Sequence, residues 1–393
     1  MKMTQIYQIV NNATSSILGE QAVLAEDLSN VVDIGKAIID SDNVDNYVKQ
    51  LVNHIGKVVF VDRLYAGGVP SVLMDAWEYG SIMEKVSTTL PDATESDSWK
   101  LQNGVDYSPN TFYKPQVSVK FFNNRTTFEI PLSFTEMQVK ESFSSATQLN
   151  GFLSMLTTSI ENSMTVKLDA LIMRTICNMI GETMNAENPT LDLGLSTVKA
   201  VNLLTDYNAK FGKTLSVDMA LTDKDFIRYA TYTMGLYSDR MARVSTLFNV
   251  GGKERFTPKD LQRVVLLSDF AKASETFLLS EAENADKVVL PKHDPVPYWQ
   301  GSGVDYSFDE VSKVSVVIPD DDTTKTVTVT GVLGVIFDRD ALGVSNLDRR
   351  VTTNYNPKGE FYTNFYKFDA GYFNDLDENF VLFYIGESDS ETE

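Results

Sequence analysis

The chain has 393 residues, 43% of them apolar and 22% charged, which is enough for one large or two medium domains around a sizeable core and too apolar for a disordered polymer. A formal net charge of −20 removes the broad basic face with which a nucleic-acid reader neutralises phosphates. No run of about eighteen apolar residues offers a membrane span, residues 1–18 lack the apolar segment of a secretory signal, and a single cysteine, Cys177, makes neither an intrachain disulfide nor a zinc cluster. A cytosolic product is therefore expected, with Cys177 a small buried hydrophobe among Ile172, Ile176 and Met179. The acidic balance suits a wall that contains nucleic acid without gripping it, and equally suits plain solubility.

In chain order, the first part reads as an arm with helical pieces. Ser41, Asp42 and Asn43 form a helix-start signal, Val44, Tyr47, Val48, Leu51, Val52 and Ile55 follow at helical spacing, and Gly56 ends the run. That apolar stripe needs another surface. Strands are expected at Val86–Thr89 and Val117–Phe121, separated by the polar excursion from Asp92 to Pro115. Long loops tend to be functional, and an extended two-stranded arm that cannot bury its own faces calls for a neighbouring surface. Between Thr147 and Ile180 the apolar residues recur every three or four positions without a proline, predicting one amphipathic helix about 50 Å long that Gly181 closes. Charge pairs of the coiled-coil kind are missing from it.

Residues 190–330 read as a mixed α/β block. Helices are predicted over Thr197–Phe211, stopped by Gly212, and over Asp223–Leu247. Strands are predicted at Val217–Leu221 and Val264–Leu267, and a hairpin joins Val314–Ile318 to Lys325–Ile336 through Pro319 and three aspartates. From Arg349 to Ile385 the density of aromatics predicts two long strands turning at Asn374–Asp377, pairing with the base of the long hairpin and packing under the long helix. The acidic tail, 387–393, is expected to be disordered.

Catalytic patterns fail one by one. Gly212-Lys213-Thr214 resembles the end of a phosphate loop, but Tyr207 stands where the earlier glycine belongs, which leaves a helix end. Gly301-Ser302-Gly303 lacks the third glycine of a dinucleotide fingerprint, Tyr306 holding its place. The run Asp375 to Asn379 starts like a calcium loop, yet Phe380 and Gly386 occupy the positions that need glycine and glutamate, so a tight turn is preferred. His54 and His293 are the only histidines, and two ordinary histidines are preferred over a shared metal. Carboxylates abound, but the sequence singles out no acid–base pair. The glycosylation-type triplets at Asn12 and Asn124 are read as chance matches. No catalytic residue, metal or cofactor is expected.

The order of parts (arm, long hairpin, long helix, α/β block, aromatic closing strands) resembles the major capsid proteins of tailed bacteriophages, whose α+β Johnson-type fold is shared with herpesviruses and encapsulins. The wording of Val296–Gly303, of Phe337–Val344 and of Tyr355–Gly359 is similar to that family, and Asn43–Val61 followed by Arg63 resembles the arm of short-tailed phages of Gram-positive hosts. The resemblance implies an N-terminal arm (1–63), an extended E-loop hairpin with P-domain strands (64–141), a P-domain spine helix (142–189), an α/β A-domain (190–336), closing P-domain strands (337–386) and the acidic tail (387–393). It implies self-assembly as pentamers and hexamers into an icosahedral virion shell around double-stranded DNA, assembled in the bacterial cytoplasm. It also implies a portal and, because only about 40 residues precede the first firm helix, a separate scaffolding protein or none. Tyr47, Val48 and Leu51 of the arm and Trp99, Tyr107 and Tyr113 of the hairpin loop are the candidate contacts between copies. An encapsulin-type protein compartment, and a soluble hydrolase working with carboxylates, are the alternatives.

Overall fold

A computed structural model describes residues 7, 10–15, 30–40, 69–74, 83–91, 93, 95–96, 98–107, 110, 112–135, 137–138, 146–279, 291–299, 311–320 and 323–387. The predicted arm helix at 43–55, the Gly301–Gly303 turn and most of the acidic tail lie outside them. The described residues include a helix the sequence reading did not isolate, α1 (Val31–Asp40). The chain divides into two compact units, one of residues 1–77, 125–173 and 344–371, the other of 78–124, 174–343 and 372–393.

The first unit holds a four-stranded sheet in the order β1 (Leu73–Met74), β11 (Leu342–Asn356), β12 (Phe361–Asn374), β4 (Arg125–Thr135). Strands β12 and β4 run antiparallel in unbroken register from Phe361 opposite Thr135 to Gly371 opposite Arg125. One face of β12 is buried and mostly apolar, with Tyr362, Tyr366, Phe368 and Ala370 flanking a single polar side chain, Asn364. Buried Asn364 takes a hydrogen bond from Thr353 and gives one to the Leu132 carbonyl, linking three strands. Asp369, also buried, accepts from Arg125 at 2.5 Å, Thr127 at 2.6 Å and the two terminal guanidinium nitrogens of Arg350.

The second unit is built on a five-stranded sheet in the order β5 (Ala200–Asn202), β13 (Phe380–Tyr384), β10 (Val332–Asp338), β6 (Gln262–Leu267), β7 (Asp294–Val296). Every residue of β10 and β13 is buried, the pattern of strands covered on both faces. Leu266, Ile336, Val381 and Phe383 join Phe226, Met234 and Phe270 in one core, supplied by helices α3 (Leu203–Phe211), α5 (Lys224–Met241) and α6 (Ser268–Leu279). A separate antiparallel hairpin, β8 (Val314–Asp320) with β9 (Thr323–Val329), buries Val314, Val316, Ile318, Val327 and Val329.

The long helix exists as α2, Ala146–Glu187, but Gly181 does not close it. A Cβ at Gly181 would lie 2.2 Å from a methyl of Val316, so the glycine lets β8 approach the last turns of the helix, and the chain leaves the helix only at Asn188. Other boundaries moved for equally local reasons. The predicted helix 197–211 begins at Leu203, because Ala200–Asn202 pairs parallel with β13 and the Asn202 side chain accepts from the Leu204 and Thr205 amides as an N-cap. Val217–Leu221 is a one-turn helix, α4 (Val217–Ala220), rather than a strand; Val217, Ala220 and Leu221 pack on the core while Met219 is exposed, the one-sided burial of a helical turn. The predicted helix to Leu247 stops at Met241. The predicted strand Lys325–Ile336 is two strands of different sheets, broken at Gly331 (φ +69°), where a Cβ would meet the Ile385 carbonyl. The two predicted closing strands are three: β11 and β12 turn at 357–360, and β13 belongs to the other sheet.

Candidate assembly surface

Strands β2 (Met83–Thr88) and β3 (Val117–Phe122) form the expected antiparallel hairpin, paired from Met83 opposite Phe122 to Thr88 opposite Val117. Residues directly opposite share a face. One face therefore carries Met83, Lys85 and Ser87 with Phe122, Lys120 and Ser118; the other carries Glu84, Val86 and Thr88 with Phe121, Val119 and Val117. A hairpin with an apolar and a charged face is expected to sit on its apolar side. This one is reversed: Val86, Val117, Val119 and Phe121 are exposed, and the lysine face is docked.

The turn after β12 explains the reversal. Lys85 Nζ lies 2.7 Å from Asp375 and 2.8 Å from Glu378, and donates to the Asp340 carbonyl at 3.2 Å. Lys120 Nζ lies 2.9 Å from Asp375 and 2.6 Å from Asp377, and Arg255 Nε bonds Glu378 at 3.1 Å. Three cations thus meet three carboxylates. Burial by itself would raise the pKa of Asp375, but the hydrogen bonds from Lys85 and Lys120 and the charge of Lys85 outweigh it and hold the carboxyl below the usual range. Burial would likewise lower Lys120, and its bonds to Asp377 and Asp375 leave it raised instead. The run that starts like a calcium loop is a turn whose carboxylates are taken by side-chain cations. Beside it, the Phe122 ring packs on Phe373 at 5.2 Å.

Beyond the strands, the loop carries Trp99 at 99% exposure and in the left-handed region (φ +76°), with Tyr113 and Phe112 each at 84%. Tyr107 is partly exposed, its hydroxyl accepting from the Gln102 amide at 3.1 Å. Trp99, Tyr107 and Tyr113 thus share one exposed loop, whereas Tyr47, Val48 and Leu51 lie outside the described residues. Sequence reasoning did not single out Phe112 within the loop, and it called for a neighbouring surface on the hairpin without saying which face would need it. The alternation Val117, Val119, Phe121 was readable. Which face is covered was not, because the deciding carboxylates lie 255 and 290 positions away from their lysines.

Among the described residues no group of three or more His, Cys, Asp or Glu is placed to hold a metal, and no helix is long and apolar enough to cross a membrane. His293 Nδ1 lies 2.9 Å from the Pro291 carbonyl; His54 lies outside the described residues. Cys177 is fully buried and burial pushes its thiol up, away from the reactive thiolate. Gly212 is the left-handed C-cap of α3 rather than part of a phosphate loop.

Residues 7–384 match the family described as Phi29-like phage major capsid protein. No curated protein sequence matches the chain. Similar solved structures include the capsid of Staphylococcus phage Andhra, at 11% identity over 82% of this chain and 86% of that one with a TM-score of 0.49. The capsid of cyanophage P-SCSP1u is 9% identical over 84% and 92%, with a TM-score of 0.45.

Proposed function

The chain belongs to the Phi29-like phage major capsid protein family, and from that premise we propose that its copies are joined through the outward apolar face of the β2–β3 hairpin and the aromatic loop beyond it. A major capsid protein is a structural subunit of an icosahedral phage shell, and its fold is the α+β Johnson type. Neither the encapsulin reading nor the hydrolase reading is needed once the family is known.

The finer reading follows from what the surface can do. The observation that carries it is the reversed hairpin: four apolar side chains of β2 and β3 face solvent while their lysine neighbours are docked. Burying one such side chain contributes roughly 1.5–3 kcal/mol. Association costs offset part of that for a single pair, but a closed shell repeats the contact around every ring, and weak contacts act together. The domain division of 1–63, 64–141, 142–189, 190–336, 337–386 and 387–393 is proposed with it, the hairpin serving as E-loop. Trp99, Tyr107 and Tyr113, with Tyr47, Val48 and Leu51 of the arm, are the proposed contacts between copies. Pentamers and hexamers, packaged double-stranded DNA inside, a portal and a separate scaffolding protein complete the proposal, with assembly in the host cytoplasm and no catalytic role. The net charge of −20 supports a wall that contains DNA without binding it tightly.

Sedimentation and electron microscopy of the expressed chain, alone and with the scaffolding gene of the same phage, test this reading. Closed particles of megadalton mass are expected. A chain that remains a folded monomer with its scaffold present overturns it.

A further inference from the structure

The seat of the hairpin is unusual in kind. Apolar burial is non-directional and lets a packed element slide, whereas charge-assisted hydrogen bonds fix distance and angle. Here the docked face contributes Lys85 and Lys120, the turn contributes Asp375, Asp377 and Glu378, and Arg255 completes the charge balance. Asp375 is almost wholly buried and shared by both lysines, one on each strand. Neither strand can shift along the other or away from the turn without leaving that carboxylate short of a partner, and a buried charge without one is costly. Lys120 is the member nearest to solvent, with 39% of its side chain exposed, against 18% for Lys85.

We propose that this ion lattice is a latch that aims the hairpin, so that the direction in which the open apolar face points is set by the turn at 375–378 and is released as a unit when one cation–carboxylate contact is lost. The latch is a property of the single chain and does not depend on what covers the face. It therefore stands or falls separately from the shell reading.

Hydrogen exchange of the full unassembled chain, read by mass spectrometry, tests it with Lys120→Gln and Lys120→Arg. Lys120→Gln should speed exchange of peptides spanning 83–88 and 117–122 about tenfold, leaving those spanning 332–338 and 380–384 unchanged. Lys120→Arg, which keeps a cation, should return the hairpin to the wild-type rate. Molar sodium chloride, which screens charges to about 3 Å, should speed the wild-type hairpin more than the Gln variant. Unchanged hairpin exchange in Lys120→Gln overturns the latch. So does equal loosening of the 332–338 and 380–384 strands, which would make the lattice a general support of the core, or failure of Lys120→Arg to restore the rate.

Discussion

Leu168 has no solvent exposure and stands on the stripe that the spacing of Ile160, Met164, Leu171 and Ile172 marks as the covered side of α2. An aspartate there would be buried without a partner, so Leu168→Asp should lower stability by about 4 kcal/mol or more. Chemical denaturation checks the value; a soluble variant of wild-type stability would show that this face is open. Asp369 presents the opposite case, a buried carboxylate with its partners in place. Burial pushes its pKa up, but the bonds from Arg350 and Thr127 and the charges of Arg125 and Arg350 prevail and hold it below the usual range. Asp375 behaves the same way. A depressed carboxyl contributes stability that is complete above its unfolded value, about 3.9, and is lost as pH falls through the folded value. The melting temperature should therefore drop steeply below about pH 4, and Asp369→Asn should flatten part of that drop while costing about 1–3 kcal/mol at neutral pH, a moderate figure because both arginines are partly exposed. Melting curves against pH in the two proteins decide it.

The helix α2 shows what an element owes to its neighbours. Substituting Gly181 by alanine ought to favour a helix by about 1 kcal/mol. The new methyl would nevertheless stand 2.2 Å from the Val316 side chain, a β-branched group that cannot swing aside, and overpacking costs about 1–3 kcal/mol. Gly181→Ala should thus be neutral to destabilising by about 2 kcal/mol, and Val316→Ala in the same chain should make the alanine favourable, a non-additivity that a double-mutant cycle by denaturation would reveal. The same residue marks the limit of reading elements from sequence. Spacing found the long helix, the β2–β3 and β8–β9 hairpins and the core strand at Val264–Leu267, because each announces itself within a few residues. It placed the helix end at Gly181, since a glycine that admits a strand 135 positions away looks like a glycine that ends a helix. It took β9 and β10 as one strand, since the need for Gly331 arises from the Ile385 carbonyl. The aromatic run after Arg349 was recognised as strand but not divided between two sheets, a choice made by pairing with β4 and β10. The assembly surface was legible in its loop aromatics and illegible in its hairpin, whose covered face is chosen by Asp375 and Asp377.

At the scale of the whole molecule, folding and assembly make opposite demands on the hairpin's outer face, and that opposition separates them by experiment. Val119 and Phe121 are exposed in the single chain, so Val119→Asp or Phe121→Asp should alter its stability by only about 0.5 kcal/mol; the lysine face on which the hairpin is seated is untouched. In a shell that covers this face, every copy would instead bury a carboxylate without a partner, at a cost of several kcal/mol per contact. Repetition around rings multiplies the effect, just as it multiplies the gain from the wild-type contact. Either variant should therefore melt as the wild type does and yet sediment as a small species under conditions in which the wild type forms particles. Ser133→Asp serves as the control, a polar and exposed position of β4 in the other unit; particles from the control but not from Phe121→Asp place the contact on the hairpin. Normal particles from both hairpin variants would mean that the face stays open in the shell and that the copies are joined elsewhere.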